Sequence, residues 1–543
     1  MKQYTIGIDY GTLSGRALLL DAVTGKTVAT STLEYPHAVM DRTLPDGTPL
    51  EPRSAYQHPS DYLDVLRVTI PDVLAQAQAT PEEVVGLGID FTCATLLPIR
   101  EDGTPLCFEK QYESEPHAYV KLWKHHSAQE QADRMTEIAK SRGEKWLARY
   151  GGKLSSEWAF PKIYETLLKA PNVYNDTFRF IEAGDWLSLL LTGVETHAPF
   201  FAGLKFCWDE RDGFPSEDYF AEVDPRLVGL VGTKVCDRIN TIDEIAGRLT
   251  ARGAELTGLC EGTPLAMPGP DASNAMPALG ITAPGTLMSI IGTSGVLLVH
   301  GKEVKDVEGI CGYGNHGVVP GLCTYEAGQA GVGDCFDWFV KNCVPAHYTE
   351  AAKAQGLSIH KYLRQKASAL RIGESGLIAL DWFNGNRSVL QDASLSGLIV
   401  GLHIGTRSEE IYRALIESTA FGMRRCMEAF IDGGIEINSI RASGGIAKKD
   451  ELLMQIYADV CGREISVMDT DQGGALGSAI YAAVAAGLYP SVVEAAEALS
   501  EKKAIVYKPI PENQAAYDKL YAEYNTLYDY FGKVNPVMKR IRQ

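Results

Sequence analysis

An α/β architecture of two similar halves facing a shared cleft follows from three features of the sequence. The chain opens in the order strand, strand, strand, helix, strand; a second glycine-bearing hairpin stands roughly half a chain after the first; and 543 residues leave room for two full cores. Residues 4–9 alternate apolar side chains as a strand, 10–15 make a turn, 16–21 return as a second strand, and 27–35 read as a third. Tyr62, Leu63, Leu66 and Ile70 share one side of a helix over 61–79, and 84–91 is a short buried strand. From 117 to 191 the pattern is mainly helical, with Leu122 and Trp123 as the inward positions of an amphipathic helix. The plan restarts at 285–301 with strand, turn and strand. A helix over 409–430, a strand over 440–443 and a helix over 450–460 follow. The Pro/Gly-rich stretch 264–284 marks the handover, which divides the chain into 1–281 and 282–543. The acidic, Tyr-rich segment 511–529 reads as a surface helix that packs its aromatic rings.

Composition narrows the chemistry. With 51 Lys+Arg against 69 Asp+Glu the net charge is −18, which gives no footprint for nucleic acid or an anionic membrane and leaves small-molecule chemistry. No apolar run reaches the roughly 18 residues of a bilayer span. The N-terminus lacks the succession of a signal peptide, and none of the 11 cysteines has the C-x-x-C spacing; reduced thiols in a cytoplasmic protein are the expectation. Oligomeric state is left open, a homodimer included.

Three glycine-bearing elements carry the chemistry. In Gly7-Ile8-Asp9-Tyr10-Gly11-Thr12-Leu13-Ser14-Gly15-Arg16, a tight turn lets backbone N–H groups approach a phosphate. The hydroxyls of Thr12 and Ser14 add donors, Arg16 adds charge, and Asp9 at the strand end is placed to hold a hydrated Mg²⁺. Gly292-Thr293-Ser294-Gly295 repeats that chemistry, so two hairpins could grip a triphosphate from both sides of a cleft. Ala442-Ser443-Gly444-Gly445-Ile446-Ala447-Lys448-Lys449 runs a strand into a double glycine, where a flat adenine could lie against bare backbone. Taken singly, the first turn reads equally as a plain hairpin and the double glycine as a closely packed helix start.

In this order the three elements resemble the phosphate-1, phosphate-2 and adenosine motifs of the actin-like ATPase (ribonuclease H-like) fold, two domains with a nucleotide cleft between them. Gly397-Leu398-Ile399-Val400-Gly401-Leu402, followed after seven residues by Glu410-Ile411-Tyr412-Arg413-Ala414-Leu415-Ile416-Glu417, resembles the C-terminal signature of the FGGY carbohydrate kinases, departing from it at Leu415. Within that family, Gly88-Ile89-Asp90-Phe91-Thr92, Leu122-Trp123-Lys124-His125-His126, Tyr325-Glu326-Ala327-Gly328-Gln329 and the segment 452–460 resemble members that phosphorylate L-ribulose.

The resemblance implies ATP- and Mg²⁺-dependent transfer to O5 of L-ribulose, giving L-ribulose 5-phosphate in arabinose and pentose catabolism. It implies Asp271 as the catalytic base. It further implies Lys205, Glu326, Cys93 and the adjacent Ala94 at the sugar, with Trp123, Lys124 and His125 partly lining that pocket as the alternative to an ordinary amphipathic helix, and Thr12, Leu13, Ser14, Arg16, Gly292, Thr293, Ser294, Gly444, Gly445 and Lys449 at the nucleotide. Two positions depart from the family pattern: Ser273 stands where a His is usual, and Cys93 where a smaller residue is. Read without the family, Asp271 is a turn residue after Gly-Pro, Lys205 a solvated Lys and Glu326 a helix cap. Other readings stay open: a kinase for D-ribulose, xylulose or ribitol, or an actin-like nucleotide switch or chaperone ATPase that transfers nothing to a sugar.

Overall fold

Two sheets repeat one plan in the computed structural model, which describes residues 2–541. In the first, Thr27–Glu34, Ser14–Asp21, Tyr4–Tyr10, Val84–Phe91, Pro264–Ala266 and Ile245–Arg248 lie side by side. The steps across it run antiparallel, antiparallel, parallel, parallel, antiparallel. In the second, Cys323–Gln329, Gly295–Gly301, Gly285–Ile291, Ile437–Ser443, Ile465–Met468 and Ala504–Tyr507 repeat those directions in the same order. Gly312–Asn315 adds one outer edge strand. Parallel neighbours require long crossovers, and helices supply them.

Most elements stand where the apolar spacing puts them. The helix Pro59–Ala77 starts on its proline, with the His58 ring nitrogen accepting from the Ser60 N–H at 3.3 Å, and buries Tyr62, Val65, Leu66, Ile70 and Val73. The helix Ser408–Asp432 carries Leu415 fully inside the second core. In Pro511–Asp529, Tyr517, Tyr521, Tyr524 and Tyr528 recur at three- and four-residue spacing and are all buried.

The stretch 122–126 departs from the helix expected there. It is a turn after the strand Val120–Lys121, because its backbone groups are bonded elsewhere: Leu122 N–H to the Ala55 carbonyl at 3.0 Å, His126 N–H to the Arg53 carbonyl at 2.9 Å. The mainly helical region is also interrupted by the strand Arg179–Glu182. The Pro/Gly-rich stretch contains the short strands Pro264–Ala266 and Gly269–Pro270 and the helix Asp271–Ala278.

One late element returns to the first sheet. The helix Gly473–Ala485 lies so close to Tyr4–Tyr10 and Val84–Phe91 that only glycine fits beneath it. A methyl group on Gly7 would stand 1.8 Å from the Ala475 carbonyl oxygen, and one on Gly88 2.0 Å from that of Ser478. Met468, Ala475, Leu476, Ala479 and Ile480 therefore share a core with Ile6, Ile8, Leu87 and Ile89. Replacing Gly88→Ala drives that methyl into backbone, and we expect a loss of about 1–3 kcal/mol or more in denaturant unfolding. An unchanged midpoint would mean that the helix can move away at no cost.

Candidate active site

Three carboxylates meet at neighbouring strand ends of the first sheet. Asp9 and Asp90 are register partners on parallel strands, and Gly269, two residues before Asp271, pairs with Asp90 from the other side. Burial raises the pKa of Asp9 against the lowering pull of Arg16, whose guanidinium lies 3.7 Å away; burial and then Asp9 itself push Asp90 well above the carboxylate range. Asp271 begins a helix with Oδ1 accepting from the Ala272 N–H at 2.7 Å, and burial, then Asp9, push its carboxyl up to about 7. Ser478 donates to Asp90 Oδ2 at 2.6 Å, while Oδ1 of Asp90 is buried with no partner among the described residues. An orphaned carboxylate oxygen beside a second, half-buried carboxylate suits a divalent cation, which would lower both pKa values at once. Gly474 closes over the pair: a methyl there would lie 3.1 Å from Asp90 Oδ1 and 3.2 Å from Asp9 Cγ.

Each hairpin turn is closed by one short bond, Gly11 N–H to the Ser14 carbonyl and Gly292 N–H to the Ser294 carbonyl, both 3.0 Å. Leu13 and Thr293 are exposed at the two tips. Thr12 is held from two directions, its Oγ1 accepting from Trp123 Nε1 at 3.1 Å and its carbonyl from Gln57 Nε2 at 2.8 Å. Gly444, at φ 104°, packs where a side chain would come within 2.4 Å of the Ile291 carbonyl oxygen, so the double glycine and the second turn adjoin. Gly445 is exposed, with no atom within 4 Å of where its side chain would start. Lys449 is exposed at the end of the short helix Gly445–Lys449, its carbonyl accepting from Arg364 at 2.7 Å.

The remaining expected residues come from separate segments of the chain. Lys205 ends the helix Pro199–Lys205 and is 7% exposed; burial opposes its charge, yet Glu326, then Cys93 and Glu157, hold its pKa above the usual value. Glu326 comes from the second sheet, in Cys323–Gln329. Burial keeps the Cys93 thiol protonated, well above its ordinary range. Ala94 sits at φ 62°, its carbonyl accepting from Lys162 Nζ at 2.6 Å, while Glu182 Oε2 takes the next N–H, of Thr95, at 2.9 Å. The same ammonium donates to the Leu122 carbonyl at 2.9 Å. Ser273 is buried and donates to the Pro270 carbonyl at 2.9 Å, so its hydroxyl serves the helix start.

Asp90, Lys162, Glu182, Glu157 and Arg387 were not singled out from sequence. For Asp90 the signal exists: Gly88-Ile89-Asp90-Phe91 repeats Gly7-Ile8-Asp9-Tyr10, and the two aromatic rings stack at 4.3 Å. The others lie in segments with no repeated pattern. The stretch 397–402 and the helix after it provide scaffold. Leu398–Val400 pairs with Ile378–Leu380, and the Thr419 carbonyl accepts from Gln329 Nε2 at 2.8 Å, anchoring the strand that carries Glu326.

Comparison with known proteins accounts for this arrangement. Residues 287–486 match the model of the FGGY family of carbohydrate kinases, C-terminal domain. A ribulokinase of Bacillus licheniformis is 48% identical over 98% of this chain and 97% of its own length, and one of Shouchella clausii is 48% identical over 100% and 98%. Among solved structures, a xylulose kinase of Rhodospirillum rubrum superposes with a TM-score of 0.80 at 22% identity, covering 99% of this chain and 100% of that one. A glycerol kinase of Plasmodium falciparum with ADP gives 0.73 at 15%, covering 97% and 98%. The fold is thus the actin-like ATPase fold of sugar kinases, and the chain belongs to the FGGY family of carbohydrate kinases.

Proposed function

We propose that this sugar kinase transfers the γ-phosphoryl group of ATP to O5 of L-ribulose, forming L-ribulose 5-phosphate within cytoplasmic pentose catabolism. The observation that carries the reading is the half-buried carboxyl of Asp271, which starts a helix two residues after the strand partner of Asp90 and is pushed up to about 7 by burial and Asp9. The relatives named ribulokinase supply the sugar class. Asp271 orients the attacking hydroxyl and accepts its proton as the bond to phosphorus forms. In a loose phosphoryl-transfer transition state the proton leaves late, so orientation outweighs basicity. Asp9 and Asp90 would hold Mg²⁺, which supplies charge neutralisation for the transferring group. Lys205 and Glu326 reach the polyol with donors and acceptors while compensating each other's charge. The turns at Thr12-Leu13-Ser14 and Gly292-Thr293-Ser294 hold phosphates, Arg16 adds charge there, and Gly444, Gly445 and Lys449 lie along the nucleoside. Nucleotide and sugar then sit between two bodies, 1–281 and 282–543, and closing them excludes the water that would otherwise take the phosphoryl group.

The first test is ADP formation with ATP and Mg²⁺ against L-ribulose, D-ribulose, xylulose and ribitol, with a no-sugar control. L-ribulose should stimulate most; ATP hydrolysis indifferent to every sugar would refute the reading. Asp271→Asn should lower kcat by about 10²–10⁴-fold, the range of general-base contributions, with ATP affinity held. Because Asp271 works ionised and its pKa is raised to about 7, kcat/KM for the sugar should fall below that pH and level off above it. A flat profile from pH 5 to 8 would remove Asp271 from the proton transfer. Glu326→Ala should raise the sugar KM and leave that of ATP; the reverse pattern would move Glu326 out of the sugar pocket.

A further inference from the structure

Arg387 is a half-buried guanidinium that forms no hydrogen bond or ion pair with the protein among the described residues. A guanidinium has five N–H donors, and a half-buried one that finds no protein acceptor is placed to give them to a ligand's oxygens. Its surroundings are specific. The adjacent Ser388 is tied to the strand that carries Glu326, Gly328 N–H donating to Ser388 Oγ at 3.2 Å. Glu326 and Gly328 share one face of that strand, and Gly328 leaves the space the arginine stem occupies: a methyl there would lie 3.3 Å from Arg387 Cδ. From the second half the guanidinium crosses to Trp123 of the first, 5.9 Å from its ring centroid, and Trp123 in turn holds Thr12 of the phosphate turn. Its charge is felt by Glu157, which His126, Arg387 and Lys205 together pull down to about 2 against the effect of burial. The charge of Glu326 acts on Asp271, Lys205 and Arg387 alike, so the arginine belongs to the same neighbourhood as the expected base and the sugar-side lysine.

We infer that Arg387 is a sugar-contacting specificity residue, donating to the ketose oxygens at the end remote from the phosphorylated hydroxyl, and that the sugar pocket is complete only when the second half supplies it. The inference rests on the ribulose-kinase reading. A planar fork of donors suits a neighbouring carbonyl and hydroxyl, the C2 and C1 oxygens of a 2-ketopentose, better than the two hydroxyls of a pentitol.

The experiment is steady-state kinetics of the full-length wild type, Arg387→Ala and Arg387→Lys with L-ribulose and ribitol, with ATP varied separately and thermal unfolding recorded alongside. Having no protein hydrogen bond to lose, the variants should keep the wild-type midpoint. The sugar KM of Arg387→Ala should rise about tenfold or more, as expected for a lost charged hydrogen bond, while the ATP KM stays within about twofold. The preference for ribulose over ribitol should narrow, and Arg387→Lys should recover part of the loss. An unchanged ribulose KM overturns the inference, as does an equal rise in both KM values, which would mark a latch between the halves. A wild type active on one ketopentose with unaltered variants overturns this inference alone; a wild type silent with every sugar overturns the functional reading and this inference with it.

Discussion

The close approach of the helix Gly473–Ala485 to the first sheet is the constraint on which the rest depends. Backbone carbonyls of the helix stand where side chains of Gly7, Gly86 and Gly88 would be, so strand and helix touch main chain to main chain. The contact closes a core between segments 390 to 468 positions apart in sequence, counted from Gly88 to Ser478 and from Gly7 to Ala475. It also delivers Gly474 over Asp9 and Asp90 and Ser478 to Asp90, so the packing that binds the late helix sets the roof of the carboxylate cluster. A larger residue at either end of this contact would shift the carboxylates as well as weaken the core.

Electrostatic opposition shapes the site. Asp9, Asp90 and Asp271 are held together at a cost that each registers as a raised pKa, and a cation held by the first two would relieve part of it. On the sugar side the charges alternate. Glu165 takes Lys121 at 2.7 Å and His125 at 3.0 Å, Lys162 bonds the carbonyls of Ala94 and Leu122, and Glu182 holds the peptide that follows Ala94. Losing one partner of such a buried pair would leave the other desolvated and alone.

Likeness of the two sheets explains why the glycine-bearing hairpin turn occurs twice. Each sheet presents a tight hairpin whose first strand runs parallel to a later strand, and the turn falls at the same end of that pair. Differences between the halves lie where chemistry is asymmetric. Asp9, two residues before Gly11, has no carboxylate counterpart at Ile290, two residues before Gly292, and the carbonyl of the next residue, Ile291, meets the double glycine at Gly444.

What the sequence determined by itself was local. Alternation along 4–9 and 285–301, the apolar stripe of Pro59–Ala77 and the tyrosine spacing of Pro511–Asp529 specify elements because strand and helix periods are properties of short segments. The glycine turns were legible for the same reason, and Asp271, Lys205 and Glu326 only through likeness to a family. What the tertiary structure alone decided was every relation between distant segments. It made residues 122–126 a turn, brought the helix Gly473–Ala485 back to the first sheet, set Asp90 beside Asp9, and carried Arg387 across to Trp123. None of these has a local signature strong enough to specify it, since each depends on which surfaces meet after the chain has folded back over hundreds of residues.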